Sequence, residues 1–288
     1  GTSSKGAAEL YLTSGALVNA TGGLIQFTGT ALSGYKIQGD LTNAGGTVLV
    51  DHNATFGKSA GVFEQTAGVT TINANKALTF SNGSQLKIAG GSLELKGTIL
   101  NNATTMNGGT INYTAGGSIS GGSFTFNGGT TNGAPRLNNV KLTIGPNVMS
   151  PFTFEFGRSD NFGPNTLVLT DNVLRANQSL TIRSDTVQSA GLVSATGFTN
   201  EGMITIQATS SGGTDLVMVV TSGTLAIAEG GTIAFKGQSY GFNGGRLSAD
   251  IENHGTFSVE GGASLSKSNG AFTNSGLVSI TVGASLGA

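Results

Sequence analysis

The sequence predicts an all-β fold, a parallel β-solenoid. Three observations lead there: a turn signature that recurs every 21 to 24 residues, short runs in which apolar and polar residues alternate, and glycine at 48 of 288 positions. That glycine share is more than twice the roughly 7% of ordinary proteins. The turn signature is an apolar residue, a spacer, Asn, one or two residues, then Gly. It is clearest in Phe198-Thr199-Asn200-Glu201-Gly202, Ile251-Glu252-Asn253-His254-Gly255 and Phe272-Thr273-Asn274-Ser275-Gly276. Looser copies are Leu17-Val18-Asn19-Ala20-Thr21-Gly22, Leu41-Thr42-Asn43-Ala44-Gly45 and Phe63-Glu64-Gln65-Thr66-Ala67-Gly68. A repeat of this length is the period of a solenoid. The longer interval from Asn200 to Asn253 fits two enlarged coils.

Within each period the runs Leu78-Thr79-Phe80, Leu86-Lys87-Ile88, Leu93-Glu94-Leu95, Phe124-Thr125-Phe126 and Leu180-Thr181-Ile182 alternate. Period two marks half-buried strands. No window carries helical spacing free of Gly, so helix content is expected to be near zero. Gly-Gly pairs fall between the runs, where glycine supplies turns with positive φ at no steric cost. An antiparallel sandwich would use longer strands and two-residue hairpin turns. In a solenoid, equivalent residues of successive coils lie about 4.8 Å apart. Asn at a fixed corner can then bond the Asn above it and cap the turn backbone. Asn19, Asn43, Asn200, Asn253 and Asn274 are the expected corner residues. At about 22 residues per coil the chain makes about 13 coils and spans about 60 Å.

The run from Phe63-Glu64-Gln65 through Gly90-Gly91-Ser92-Leu93 to Asn107-Gly108-Gly109-Thr110-Ile111 resembles the passenger repeats of bacterial autotransporters and filamentous-haemagglutinin-type exoproteins. The Phe-Thr-Asn-x-Gly units near residue 274 are similar to the same class. The resemblance implies a right-handed parallel β-helix, secretion, and display at the cell surface as adhesin, sheath or layer material. It covers most of the chain outside residues 134–165.

All four prolines, Pro135, Pro146, Pro151 and Pro164, fall in that exception, and four of the five arginines lie between Arg136 and Arg183. Proline donates no N–H to a ladder, so an irregular interruption is expected near 134–165. The expected organisation is one continuous solenoid: N-terminal coils over 1–133, an insert with atypical coils over 134–192, and C-terminal coils over 193–288. Phe152, Phe154 and Phe156 share one strand face that something must cover. With Arg158 and Phe162 they form the candidate interaction surface.

Little else points to chemistry. There is no Cys, which removes disulfides, thiol nucleophiles and Cys-ligated zinc. The net charge is −1, without the basic stripe of a nucleic-acid binder. No segment has the length and apolarity of a transmembrane helix. His52 and His254 are far apart and lack metal-ligand spacing. No Gly-x-Ser-x-Gly elbow occurs. Asp250, Glu252 and Glu260 make the best acidic cluster and read as solvated surface acids. Asp160-Asn161 reads as a turn. A single Thr-x-Thr, Thr28-Gly29-Thr30, argues against an ice-binding array.

The expectation is therefore a non-enzymatic extracellular structural or adhesive surface protein without cofactor. It self-associates into a filament, sheath or layer, or forms the solenoid part of a larger adhesin. The alternative is a polysaccharide-binding or polysaccharide-degrading β-helix, with surface glycans as partners.

Overall fold

In a computed structural model the chain is a parallel β-solenoid of about 10 turns. Residues 8–29, 34–81, 83–157, 164–184, 192–208, 216–237, 245–281 and 284–287 are described. Among them there are 29 strands and no helix. The chain divides into two compact units, Gly1–Pro135 and Arg136–Ala288.

Each unit repeats one construction. A strand pairs in parallel with the equivalent strand of the next coil, as Leu41–Asn43 does with Phe63–Gln65 and Ile251–Asn253 with Phe272–Asn274. Alternation decides which side chains enter. In the strand Ala77–Phe80, Leu78 and Phe80 are buried while Ala77 and Thr79 are partly exposed. The inward positions form columns, because stacked coils place equivalent residues directly above one another. Phe56 lies over Phe80 with ring centroids 5.5 Å apart. Phe235 lies over Val259, and its ring meets that of Phe257, two positions along, at 5.5 Å.

The coil count is lower than the expected 13 because several coils run longer than about 22 residues, although others are shorter. Glu94 and Asn112 are register partners 18 residues apart, whereas Thr166 and Ser194 are partners 28 residues apart. The turn signature stays fixed while the arms between turns lengthen. The long step from Asn200 to Asn253 is indeed two coils, with Ile227 between them in register.

The expected interruption near 134–165 is corrected. Its described residues carry ordinary parallel strands, Arg136–Asn138, Lys141–Ile144, Phe152–Gly157 and Asn165–Leu169. The four prolines do not break them, because each sits between strands. Pro135 and Pro151 immediately precede a strand, Pro146 follows one, and Pro164 stands just before Asn165. At those points the missing N–H withdraws nothing from the ladder. Residues 158–163 lie outside the described part.

Glycine at the corners serves a second purpose beyond positive φ. Gly68 and Gly91 do have φ of +73° and +67°. Gly255 and Gly276 do not, yet a Cβ on either would lie well under 3.0 Å from carbonyl oxygens of the coil beneath. The corner is where neighbouring backbones approach most closely, and only a residue without Cβ fits there.

Candidate functional site

The candidate corner residues all lie in one kind of place, the bend between two arms of a coil. It falls at a strand end for Asn200, Asn253 and Asn274 and at a register shift within the strand for Asn43. Asn19, Asn43, Asn200 and Asn253 are buried, and Asn43, Asn200 and Asn253 are fully so. Their amides do two things. Asn19 Nδ2 donates to Asn43 Oδ1 at 3.1 Å, and Asn253 Nδ2 donates to Asn274 Oδ1 at 2.6 Å. Each amide also donates to a backbone carbonyl of the following coil: Asn19 to Thr47, Asn43 to Val69, Asn200 to Thr232 and Asn253 to Leu277. Gln65 takes the same position and donates to Ser92 O at 2.7 Å.

The ladder is not continuous. Ile88 follows Gln65 in the column, and Ile227 separates Asn200 from Asn253. That break explains an otherwise odd atom: Asn253 Oδ1 is buried with no hydrogen-bond partner, because the side chain beneath it is Ile227. Asn274, in the last described coil of its unit, is exposed and donates to Gly276 O.

The phenylalanine surface is corrected. Phe152, Phe154 and Phe156 are 2%, 0% and 0% exposed and point into the core, where Phe154 pairs with Leu180 of the next coil. Alternation put them on one face, and that face is the inner one. Arg158 and Phe162 lie outside the described residues. The neighbouring arginines make ion pairs, two of them between coils and one within a turn. Arg136 and Arg183 flank Glu155 at 3.9 and 3.4 Å, and Arg175 pairs with Asp171 and donates to Val148 O.

A feature that sequence reasoning missed appears once in each unit. Lys58 pairs with Asp40, whose other oxygen accepts the Val62 N–H at 2.9 Å. Lys267 pairs with Asp250 at 2.6 Å, whose other oxygen accepts the Ala271 N–H at 3.0 Å. In both, an aspartate beside the corner strand clamps the turn that opens the next coil. The signal was present as Lys58-Ser59-Ala60-Gly61-Val62-Phe63 and Lys267-Ser268-Asn269-Gly270-Ala271-Phe272, each following an Asp that stands three residues before a corner Asn, Asp40 before Asn43 and Asp250 before Asn253.

The lysine hydrogen bond, then the backbone N–H, hold both aspartates below the usual 3.8. A lowered folded pKa gives stability that is full above the unfolded value and is lost as pH falls through the folded one. Thermal unfolding temperature is therefore expected to drop below about pH 4. Lys58→Met should flatten part of that drop in a pH series followed by circular dichroism.

Two of the acidic trio are held by neighbouring side chains. Asp250 is held by Lys267, and Glu252 bonds His254 Nε2 at 2.9 Å. His254 Nδ1 in turn meets Ser275 Oγ at 2.6 Å, so an acid, an imidazole and a hydroxyl stand in line on the surface. Acyl transfer would also need N–H donors aimed at a developing oxyanion. The nearest two, of Ser275 and Gly276, both donate to Asn253 O. Among the described residues no group of three His, Cys, Asp or Glu could hold a metal ion, and no helix is long and apolar enough to cross a membrane.

The first and last described coils differ from the inner ones in what they expose. Tyr11, Val18 and Leu24 are 70%, 60% and 60% exposed, and Leu277 and Ile280 are 58% and 50% exposed. Among the described residues, the strands Ala8–Ala20 and Leu24–Phe27 pair on one side, with Tyr35–Val50. Phe272–Asn274 and Leu277–Ile280 likewise pair on one side among the described residues.

Comparisons with models of known families, with curated proteins and with solved structures give no match to this chain.

Proposed function

We propose that this chain is a structural or adhesive protein of the cell exterior, of the autotransporter or filamentous-haemagglutinin passenger type, and that its coils stack end to end on a second copy. What supports the reading is that the first and last described coils pair on one side among the described residues and expose apolar side chains. They share a register. Asn274 occupies the corner position of its coil as Asn19 does of its own. Laid one on the other, these corners bring Phe272 opposite Leu17, Leu277 opposite Leu24 and Ile280 opposite Phe27. Strand edges left open in this way pair with further strands. Charged residues are only 10% of the chain, so little repulsion opposes stacking.

The test is electron microscopy and light scattering on the purified chain, wild type beside Leu24→Asp/Leu277→Asp. Polymers formed by the wild type and lost in the double variant support end-to-end stacking. A concentration-independent monomer overturns it, and so do polymers that persist in the variant.

A further inference from the structure

The unit Arg136–Ala288 carries a groove built by a local failure of register. Ala195 pairs with Val220 and Phe198 with Leu225. Two residues, Thr196 and Gly197, therefore oppose the four from Thr221 to Thr224. The extra residues bulge outward, as a chain with more residues than its partner must. The following coil leaves the extra residues out as well: Val220 to Gly223 stand opposite Ala249 alone. The bulge and the turn at Asn172 border the Thr196–Thr199 segment, and together they line a shallow groove open to solvent, with a volume of about 460 Å³.

Its lining is uncharged and rich in hydroxyls. Asn172, Thr196, Thr199, Ser222 and Thr224 all line it, with no acidic or basic residue among the lining side chains. The backbone around them is committed: Gly197 N donates to Ser222 O at 2.7 Å, and Thr199 N donates to Asn172 O at 2.9 Å. Thr221, just outside, uses its hydroxyl on Ala195 O at 3.0 Å. The five polar side chains in the groove make no such internal bond. Gly197 keeps the floor bare, because a Cβ there would lie under 3.0 Å from Thr224 N and O.

We infer that this groove binds a neutral saccharide. A hydroxyl both donates and accepts, so a row of uncommitted threonine and serine hydroxyls with one amide matches a ligand that carries hydroxyls in series. The lining residues come from three successive coils about 4.8 Å apart, a spacing close to the repeat of pyranose rings along a glycan. The absence of lining charge selects neutral sugars over uronates or sulfated chains. Recognition is by hydrogen bonding rather than ring stacking, since Phe198 lies buried beneath the floor. The groove is independent of the end coils, so this inference and the stacking proposal fail separately.

The experiment titrates the intact chain with maltohexaose, cellohexaose and chitohexaose, and with a galacturonate hexamer as the charged comparison, by calorimetry. At least one neutral oligosaccharide is expected to bind. Its affinity should fall about tenfold in Thr199→Val/Thr224→Val, as for one or two lost hydrogen bonds. Neither hydroxyl has a protein partner to lose, so the unfolding temperature of that variant should match the wild type. Thr79→Val, in the other unit, should leave binding unchanged. No binding of any neutral hexamer overturns the inference. Binding unaffected by the double variant, or stronger binding of the galacturonate, also overturns it.

Discussion

Phe154→Ala is expected to lower the unfolding free energy by about 3–5 kcal/mol, the cost of emptying a large core site that cannot collapse. Phe154 is fully buried, its ring 5.2 Å from that of Phe152, with Leu180 above it in the next coil. Coils held by a continuous ladder on every side cannot close over the gap without breaking register. Met149, 66% exposed, is the comparison. Met149→Ala should change stability by less than about 0.5 kcal/mol. Denaturant midpoints measured for both variants settle which way the Phe152–Phe156 face points. A cost at Phe154 as small as at Met149 would return it to the surface.

Gly68→Ala is expected to cost about 2–5 kcal/mol, from two sources that add. The positive φ of Gly68 is a strained conformation for alanine, worth about 1–2 kcal/mol. The new methyl would also press on Gly45 and Gly46 backbone atoms of the coil beneath, and overpacking costs about 1–3 kcal/mol. Gly22 separates the two sources. Its φ is +81°, but nothing lies within 4 Å of the position a Cβ would take. Gly22→Ala should therefore show the conformational part alone, about 1–2 kcal/mol. Equal losses at the two positions would mean that corner glycines are selected for φ only.

Periodicity carried most of the fold. The spacing of Asn19, Asn43 and Gln65 is the coil step itself, because stacking demands that corner residues recur in register. Alternation in Leu78-Thr79-Phe80 or Leu180-Thr181-Ile182 was enough to assign inner and outer faces. It could not say whether Phe152, Phe154 and Phe156 faced in or out, since alternation fixes two faces without naming the one with a neighbour. The prolines misled for a related reason. A proline between strands costs nothing, and sequence alone did not place Pro146 or Pro151 relative to strand ends. The Asp40–Lys58 and Asp250–Lys267 clamps were hidden by distance, because the partners lie a coil apart and only the repeated Lys-Ser-x-Gly-x-Phe betrays them. The saccharide groove had no sequence signal. It arises from a difference in length between two adjacent coils, which a motif does not record.

The corner amides of Asn19, Asn43, Gln65, Asn200 and Asn253 all donate toward the coil that follows them in the chain. This gives the stack an arrow in time. A corner amide is buried only once the coil after it is in place: Asn253 is covered, whereas Asn274, in the last described coil of its unit, is exposed. During synthesis from the N-terminus each new coil therefore buries and orders the donor of the coil before it, and that ordering is part of the cost of docking. Each turn thus carries the donors that the next one takes up, and Asn274 still holds its own in the open.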